Sequence, residues 1–146
     1  MTAGFNLENL KIEVLSYEYQ TWDNYYDANW LCVSVLFADA SGQVAFSGPI
    51  LMTANLVGFH DEVVELDAGT SDVAVLESLE PNLSLTLKRV GSLGHIEVTT
   101  EILVEPQMHE LQASFQVDVC YLPKLVTDLR GVLSAFPVRL EDTKSV

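Results

Sequence analysis

At 146 residues the chain has the length of one domain, and a chain of this size buries about 70% of its unfolded surface, enough for a core without covalent staples. Hydrophobic residues make up 49% and charged residues 19%, which excludes a disordered tail, and no apolar run of about 18 residues marks a transmembrane helix. The 21 Asp and Glu against 7 Lys and Arg give a formal net charge of -14. That imbalance disfavours nucleic acid and anionic membranes as partners and favours a cationic protein, although acidity also serves plain solubility.

The first ten residues lack the basic start and apolar stretch of a secretory signal, so the cytoplasm is the expected compartment. Period-two alternation then dominates. Leu10, Ile12 and Val14 alternate with Lys11 and Glu13 as a first strand. Between Tyr17 and Trp30 stand six aromatics and three carboxylates: Tyr17, Glu18, Tyr19, Trp22, Asp23, Tyr25, Tyr26, Asp27 and Trp30 carry the pattern. This reads as a loop. Tyr and Trp offer large contact area with a polar tip and few rotors to freeze, so the loop is the candidate gripping surface. Packing inside the fold competes for at least half of these rings; Trp22, Tyr25 and Tyr26 are the best placed to stay outside.

Leu31, Val33, Val35 and Phe37 make the second strand, and Ser41-Gly42 turns the chain into a third through Val44, Phe46 and Ile50–Met52. Pro49 should bend that strand or keep it at an edge. Thr53 reads as an N-cap for a helix with the stripe Leu56, Phe59, Val63 and Leu66, closed near Ala68-Gly69. Its outer side carries Asp61, Glu62 and Glu65, a second acidic patch.

Four strands follow. They centre on Val73 and Val75 with Leu76 near the end, on Leu83, Leu85 and Leu87, on Ile96, Val98, Thr100 and Ile102, and on Leu111, Ala113, Phe115, Val117 and Val119. Gly91–Gly94 turns the middle pair into a hairpin. The last helix begins at Tyr121-Leu122-Pro123, carries the stripe Leu122, Leu125, Leu129, Val132 and Phe136, and stops at Pro137. The predicted fold is α+β: an antiparallel sheet of about seven strands, strongly curved or in two layers, with two helices in the order β-β-β-α-β-β-β-β-α. A single domain spans 1–146, with its core over about 8–137 and a polar, frayed tail over 138–146. No internal repeat or low-complexity segment is visible.

Catalytic signals are sparse. There is no GxSxG, HExxH or P-loop, and Gly91-Ser92-Leu93-Gly94 joins two strands rather than cradling phosphate. His60, His95 and His109 are far apart in sequence. His60 reads as a surface ion contact, and His95 after Gly94 as a turn residue or, in the rival reading, the base or ligand of a small-molecule site. Glu97 and Glu101 share a strand face, but i and i+4 on a strand are about 13 Å apart, too far for one acid–base pair. Asp23, Asn24, Asp27 and Asn29 carry oxygens of the kind calcium takes, without the spacing or glycine of an EF-hand loop. Cys32 and Cys120 lie in or beside strands and read as two reduced thiols, a bridge being the alternative. The expectation is no catalytic residue, no metal and no cofactor.

Asp27-Ala28-Asn29-Trp30-Leu31 before a strand, Gly94-His95-Ile96 opening another, and Tyr121-Leu122-Pro123 starting a helix that ends at Phe136-Pro137 form an ordered set. Together they resemble the WapI family of bacterial immunity proteins, over about Leu10 to Pro137. Asp118-Val119-Cys120 and the Gly48-Pro49 bend depart from the family's pattern. The resemblance implies a cytoplasmic, non-enzymatic protein that neutralises the toxic C-terminal domain of a cell-wall-associated, contact-dependent toxin, the type toxin being a tRNA-cutting nuclease. A nuclease cleft rich in Lys and Arg suits an acidic, ring-bearing inhibitor. The expected contacts are Trp22, Asp23, Tyr25, Tyr26 and Asp27, with Asp61, Glu62 and Glu65 in support. The rival reading is a homodimeric scaffold module that uses the strand edge near Pro49.

Overall fold

Alternation along the chain resolves into eight strands, twice forming a four-strand antiparallel meander followed by a long helix. The computed structural model describes residues 3–40, 42–78, 82–104 and 109–139. β1 (Ala3–Leu7), β2 (Leu10–Tyr17), β3 (Trp30–Asp39) and β4 (Gly42–Met52) form the first sheet in chain order. A short helix, α1 (Tyr25–Asn29), interrupts the β2–β3 connection, and α2 (Thr53–Ala68) follows β4. β5 (Val73–Glu77), β6 (Leu83–Val90), β7 (His95–Val104) and β8 (His109–Asp118) form the second sheet, again in chain order, and α3 (Tyr121–Ala135) closes the chain.

The α+β class and the antiparallel pairing agree with the sequence pattern. The count does not: the described residues hold eight strands in two sheets and three helices, not seven strands and two helices. β1 is the strand missed. It offers only Phe5 and Leu7 to the inner face, too short a period to stand out, yet both are buried. The core therefore begins before residue 8. The other addition, α1, lies where a loop was expected.

Inner-face residues of both sheets and the stripes of α2 and α3 merge into one hydrophobic cluster. Leu56, Phe59, Val63 and Leu66 of α2 are all fully buried, as are Leu122 and Leu129 of α3. The helices pack on each other, α2 also on β5 and α3 on β1. One carboxylate completes the seal: Glu62 Oε1 of α2 accepts the Val75 N–H at the open edge of β5 (2.9 Å). Both outermost strands on the helical side are thus covered.

Thr53 is not the N-cap of α2. Met52 occupies that position, and Asn55 Oδ1 accepts its N–H at 2.8 Å. The Thr53 hydroxyl is turned inward to a tertiary partner described below. At the other end Gly69 takes the left-handed conformation (φ 82°), and its N–H and that of Thr70 close on Leu66 and Glu65 carbonyls. Pro49 sits on the edge strand β4, opposite Cys32, just after a register shift at Leu31 and Cys32. Cys32 is half-buried, Cys120 is exposed, and both are free thiols. Burial first, then a bond to the Glu18 carboxylate, pushes the Cys32 thiol above its ordinary range.

Gly4 is held by close backbone approach. A Cβ there would lie 2.3 Å from Ile12 O and 2.9 Å from Glu13 Cα on β2. Gly131, exposed in the middle of α3, has open space where its Cβ would be. Gly4→Ala should therefore lower stability by about 1–3 kcal/mol, while Gly131→Ala should raise it by about 0.5–1 kcal/mol, both read from urea midpoints. Equal effects of one sign would contradict this account of the β1–β2 approach.

Candidate functional site

The aromatic segment leaves β2 at Tyr17 and re-enters the sheet at Trp30, its two ends tied by the Glu18 N–H to the Trp30 carbonyl (2.8 Å). Asn24 caps α1: its Oδ1 accepts the Asp27 N–H at 2.9 Å, and its Nδ2 donates to Asp27 Oδ2 at 3.3 Å. Ala28 and Asn29 on the inner side of α1 are fully buried.

Asn29 anchors the whole segment. Its Nδ2 donates to the Tyr25 carbonyl (2.9 Å) and to the Arg139 carbonyl (2.7 Å). Its Oδ1 accepts the Arg139 N–H (2.7 Å) and the Thr53 hydroxyl (2.8 Å). Both donors and both lone pairs are used, and only one orientation of the amide satisfies all four partners. One side chain thus ties α1 to the start of α2 and to the stretch after α3.

That stretch lies across the rings. The Tyr17 hydroxyl donates to the Pro137 carbonyl, and the Tyr17 ring meets Phe136 edge-on at 5.4 Å. The Arg139 guanidinium sits 3.4 Å from the centre of the Tyr17 ring and 4.4 Å from that of Trp22, and Nη1 donates to the Tyr19 carbonyl (3.2 Å). Burial pushes the Tyr17 phenol above its ordinary range, and the Arg139 charge opposes the shift. Val138 and Arg139 are accordingly part of the folded body, not of a frayed tail; residues 140–146 lie outside the described residues.

The segment does grip a cation, and the cation is the chain's own. Trp22 is half-buried against Arg139 and also lines an open cleft with Gln20, Thr21 and Asp23. Tyr25 is half-buried and meets Tyr26 edge-on at 5.9 Å. Tyr26 is 62% exposed, the most exposed ring in the segment, and Asp23 is exposed beside it in sequence while Asp27 is half-buried.

Asp61, Glu62 and Glu65 are exposed on α2. Thr53 at the head of α2 touches Asn29, but Asp61 lies eight residues on, about 12 Å along the axis. The two acidic groups are therefore neighbours rather than one patch. Asp61 is bonded to His60 Nδ1 (3.0 Å), whose Nε2 accepts from Arg130 Nε of α3 (3.2 Å), which agrees with a surface ion contact for His60.

His95 is exposed at the start of β7, paired across the ladder with Asp118, and not enclosed in a deep apolar pocket. His109 opens β8. Among the described residues no group of three or more His, Cys, Asp or Glu side chains could hold a metal. Of the side chains considered for calcium, Asn24 caps α1 and donates to Asp27, and the Asn29 amide is fully bonded. No described helix is long and apolar enough to cross a membrane. Asn29, Arg139 and the Thr53 hydroxyl were not legible as parts of the site. The one available signal was a lone arginine just beyond Pro137 in a chain with seven cations.

The family model described as the immunity protein WapI-like family matches residues 3–137 of this chain. No curated protein matches it. Among solved structures it is similar to a chain in the crystal structures of Trypanosoma brucei MRP1/MRP2, at 10% identity, covering 92% of this chain and 86% of that one with a TM-score of 0.50. That likeness concerns the fold alone.

Asn29→Ala would strand the Arg139 N–H and the Thr53 hydroxyl and release α1 from two elements at once. It should cost about 2–4 kcal/mol in urea unfolding. Asn29→Asp keeps both acceptor roles but loses both donors and buries a charge against two carbonyls, so at neutral pH it should cost at least as much. A loss within experimental error of zero for either variant would contradict the anchoring role.

Proposed function

We propose that this chain, which belongs to the WapI-like immunity protein family, neutralises a basic toxin domain, a nuclease, by binding and occluding it in the cytoplasm. It makes and breaks no bonds in doing so. The observation that carries this reading is Tyr26: a large ring, 62% exposed, on a helix fixed from beneath by Asn29, flanked by Asp23 and Asp27 in a chain of net charge -14.

Rigid, exposed tyrosines suit the centre of an interface, because little rotamer freedom is lost when they are buried. Tyr25 supports Tyr26 edge-on, and Trp22 extends the apolar ground toward the cleft with Gln20 and Thr21. Asp23 and Asp27 meet lysines or arginines of the partner. Asp61 and Glu65 lie further along α2, where exposed carboxylates steer a cationic partner over distance and hold it weakly once bound. Glu62 contributes less, because its carboxylate is already bonded to the β5 edge.

The test is co-expression with the product of the reading frame immediately upstream, followed by binding kinetics on the purified pair. Growth should be rescued. Tyr26→Ala should raise the dissociation rate about 30-fold, equivalent to about 2 kcal/mol, with the association rate nearly unchanged. Asp61→Asn should slow association several-fold at low salt and have no effect near 0.5 M salt, where the screening length is about 4 Å. Rescue that persists undiminished with every α1 ring replaced by alanine would overturn this placement.

A further inference from the structure

Each sheet has two outer strands. On the helical side, β1 is covered by α3 and β5 by α2, with Glu62 bonded to the β5 backbone. On the opposite side stand β4 and β8. β4 is blunted in the manner of natural edges, by Gly48-Pro49 and a break in register with β3. β8 carries no such device. It pairs with β7 without interruption over ten residues, from His109 to Asp118, and contains no proline, lysine or arginine. Its other edge has no strand partner among the described residues. A long, regular edge without a strand partner among the described residues, its carboxylates confined to Glu110 and Asp118 near the two ends, is a template for another strand.

The two faces flanking that edge differ in chemistry. On the inner face Leu111, Ala113 and Phe115 are half-buried against the core, and Phe115 meets Phe37 at 6.2 Å. A cleft of about 260 Å³ opens beside Leu111, walled by Phe37 and Val44. On the outer face the ladder sets Glu101 beside Gln112, Glu97 beside Gln116, and Asp118 and Glu110 at the two ends of β8. Lys88 on β6 is the one cation across from them, opposite Glu97.

We infer that the free edge of β8 receives an extended segment of a protein partner in which basic residues alternate with apolar ones. Backbone pairing supplies the hold. The partner's lysines or arginines fall beside Glu110 and Asp118, with Glu97 and Glu101 one strand further in within reach of a long side chain, and its apolar alternates fall beside the row of Leu111, Ala113 and Phe115. A second copy of this chain fits poorly in the register centred on Ser114. Antiparallel pairing of two β8 strands about Ser114 sets Glu110 of each directly opposite Asp118 of the other, and like charges directly opposite one another destabilise a ladder. The inference rests on the toxin-binding reading only for the source of the segment; the edge and its chemistry stand independently of it.

The probe is a ten-residue acetylated and amidated peptide of alternating lysine and valine, with a control N-methylated at alternate residues along one edge. Amide hydrogen exchange is followed over the whole chain. The peptide should slow exchange across 109–118 by about tenfold or more and leave α1 unchanged, and the N-methylated control should lose the effect. The double variant Ser114→Lys/Gln116→Lys, which puts cations on the outer side of the edge, should weaken the peptide about tenfold with an unchanged melting temperature. Protection spread over the acidic surface and indifferent to N-methylation would overturn the inference. So would concentration-dependent protection of 109–118 without peptide, the signature of self-pairing. Should growth rescue fail while the peptide seats on β8, the toxin reading falls and the edge site stands. Should rescue survive the double variant while the peptide leaves β8 unprotected, the edge inference falls alone.

Discussion

Four hydrogen bonds on one buried amide hold the candidate surface in place. Asn29 joins α1, the head of α2 and the stretch after α3, three segments separated by up to 110 residues in the chain. A five-residue helix has no stability of its own, since nucleation costs more than one turn returns. α1 exists because its N-cap and its last residue are both bonded, and because Ala28 and Asn29 are buried. The exposed ring of Tyr26 is thereby carried on a fixed mount rather than a mobile loop. In the proposed interface that rigidity would make a single aromatic count, because little order is left to impose.

The fate of the cation-gripping signal is instructive. Rings and carboxylates in an acidic chain suggested a site for positive charge, and the structure fills part of it from within. Arg139 lies between Tyr17 and Trp22, in contacts worth about 0.5–2 kcal/mol where water is partly excluded. The inner half of the aromatic segment is structural and the outer half, from Asp23 to Asp27, faces outward. The acidic surplus elsewhere divides in the same way. Glu62 seals β5, whereas Glu101, Glu110 and Asp118 remain exposed around β8.

Much of this was legible in the residues. Alternation gave the inner faces of most strands, down to the buried Leu83, Leu85 and Leu87, because a one-residue slip would turn every apolar side chain outward; in β5 it pointed to Val73 and Val75, whereas Ala74 and Leu76 are the buried pair and Val73 is exposed. The stripes of α2 and α3 and the Gly69 terminus were equally readable. Neighbour relations were not. Alternation tells which way a side chain points and nothing about which strand lies beside which, so the division into two sheets and the repeated four-strand-plus-helix plan were invisible. Thr53 misled because its hydroxyl has a better partner in Asn29 than in its own helix. α1 and the contacts of Arg139 depend on bonds between residues more than a hundred positions apart, which no local pattern encodes.

The family relationship suggests an immunity function, and the α1 surface is where the proposed contact is tested. The most direct measurement is a hydroxyl-radical footprint of the chain bound to the toxin domain proposed as its partner, compared with the free chain. The account predicts strong loss of reactivity at Tyr26 and Tyr25, with Tyr17, already covered by Arg139, unchanged. Full neutralisation with Tyr26 as reactive in the complex as in the free protein would contradict it.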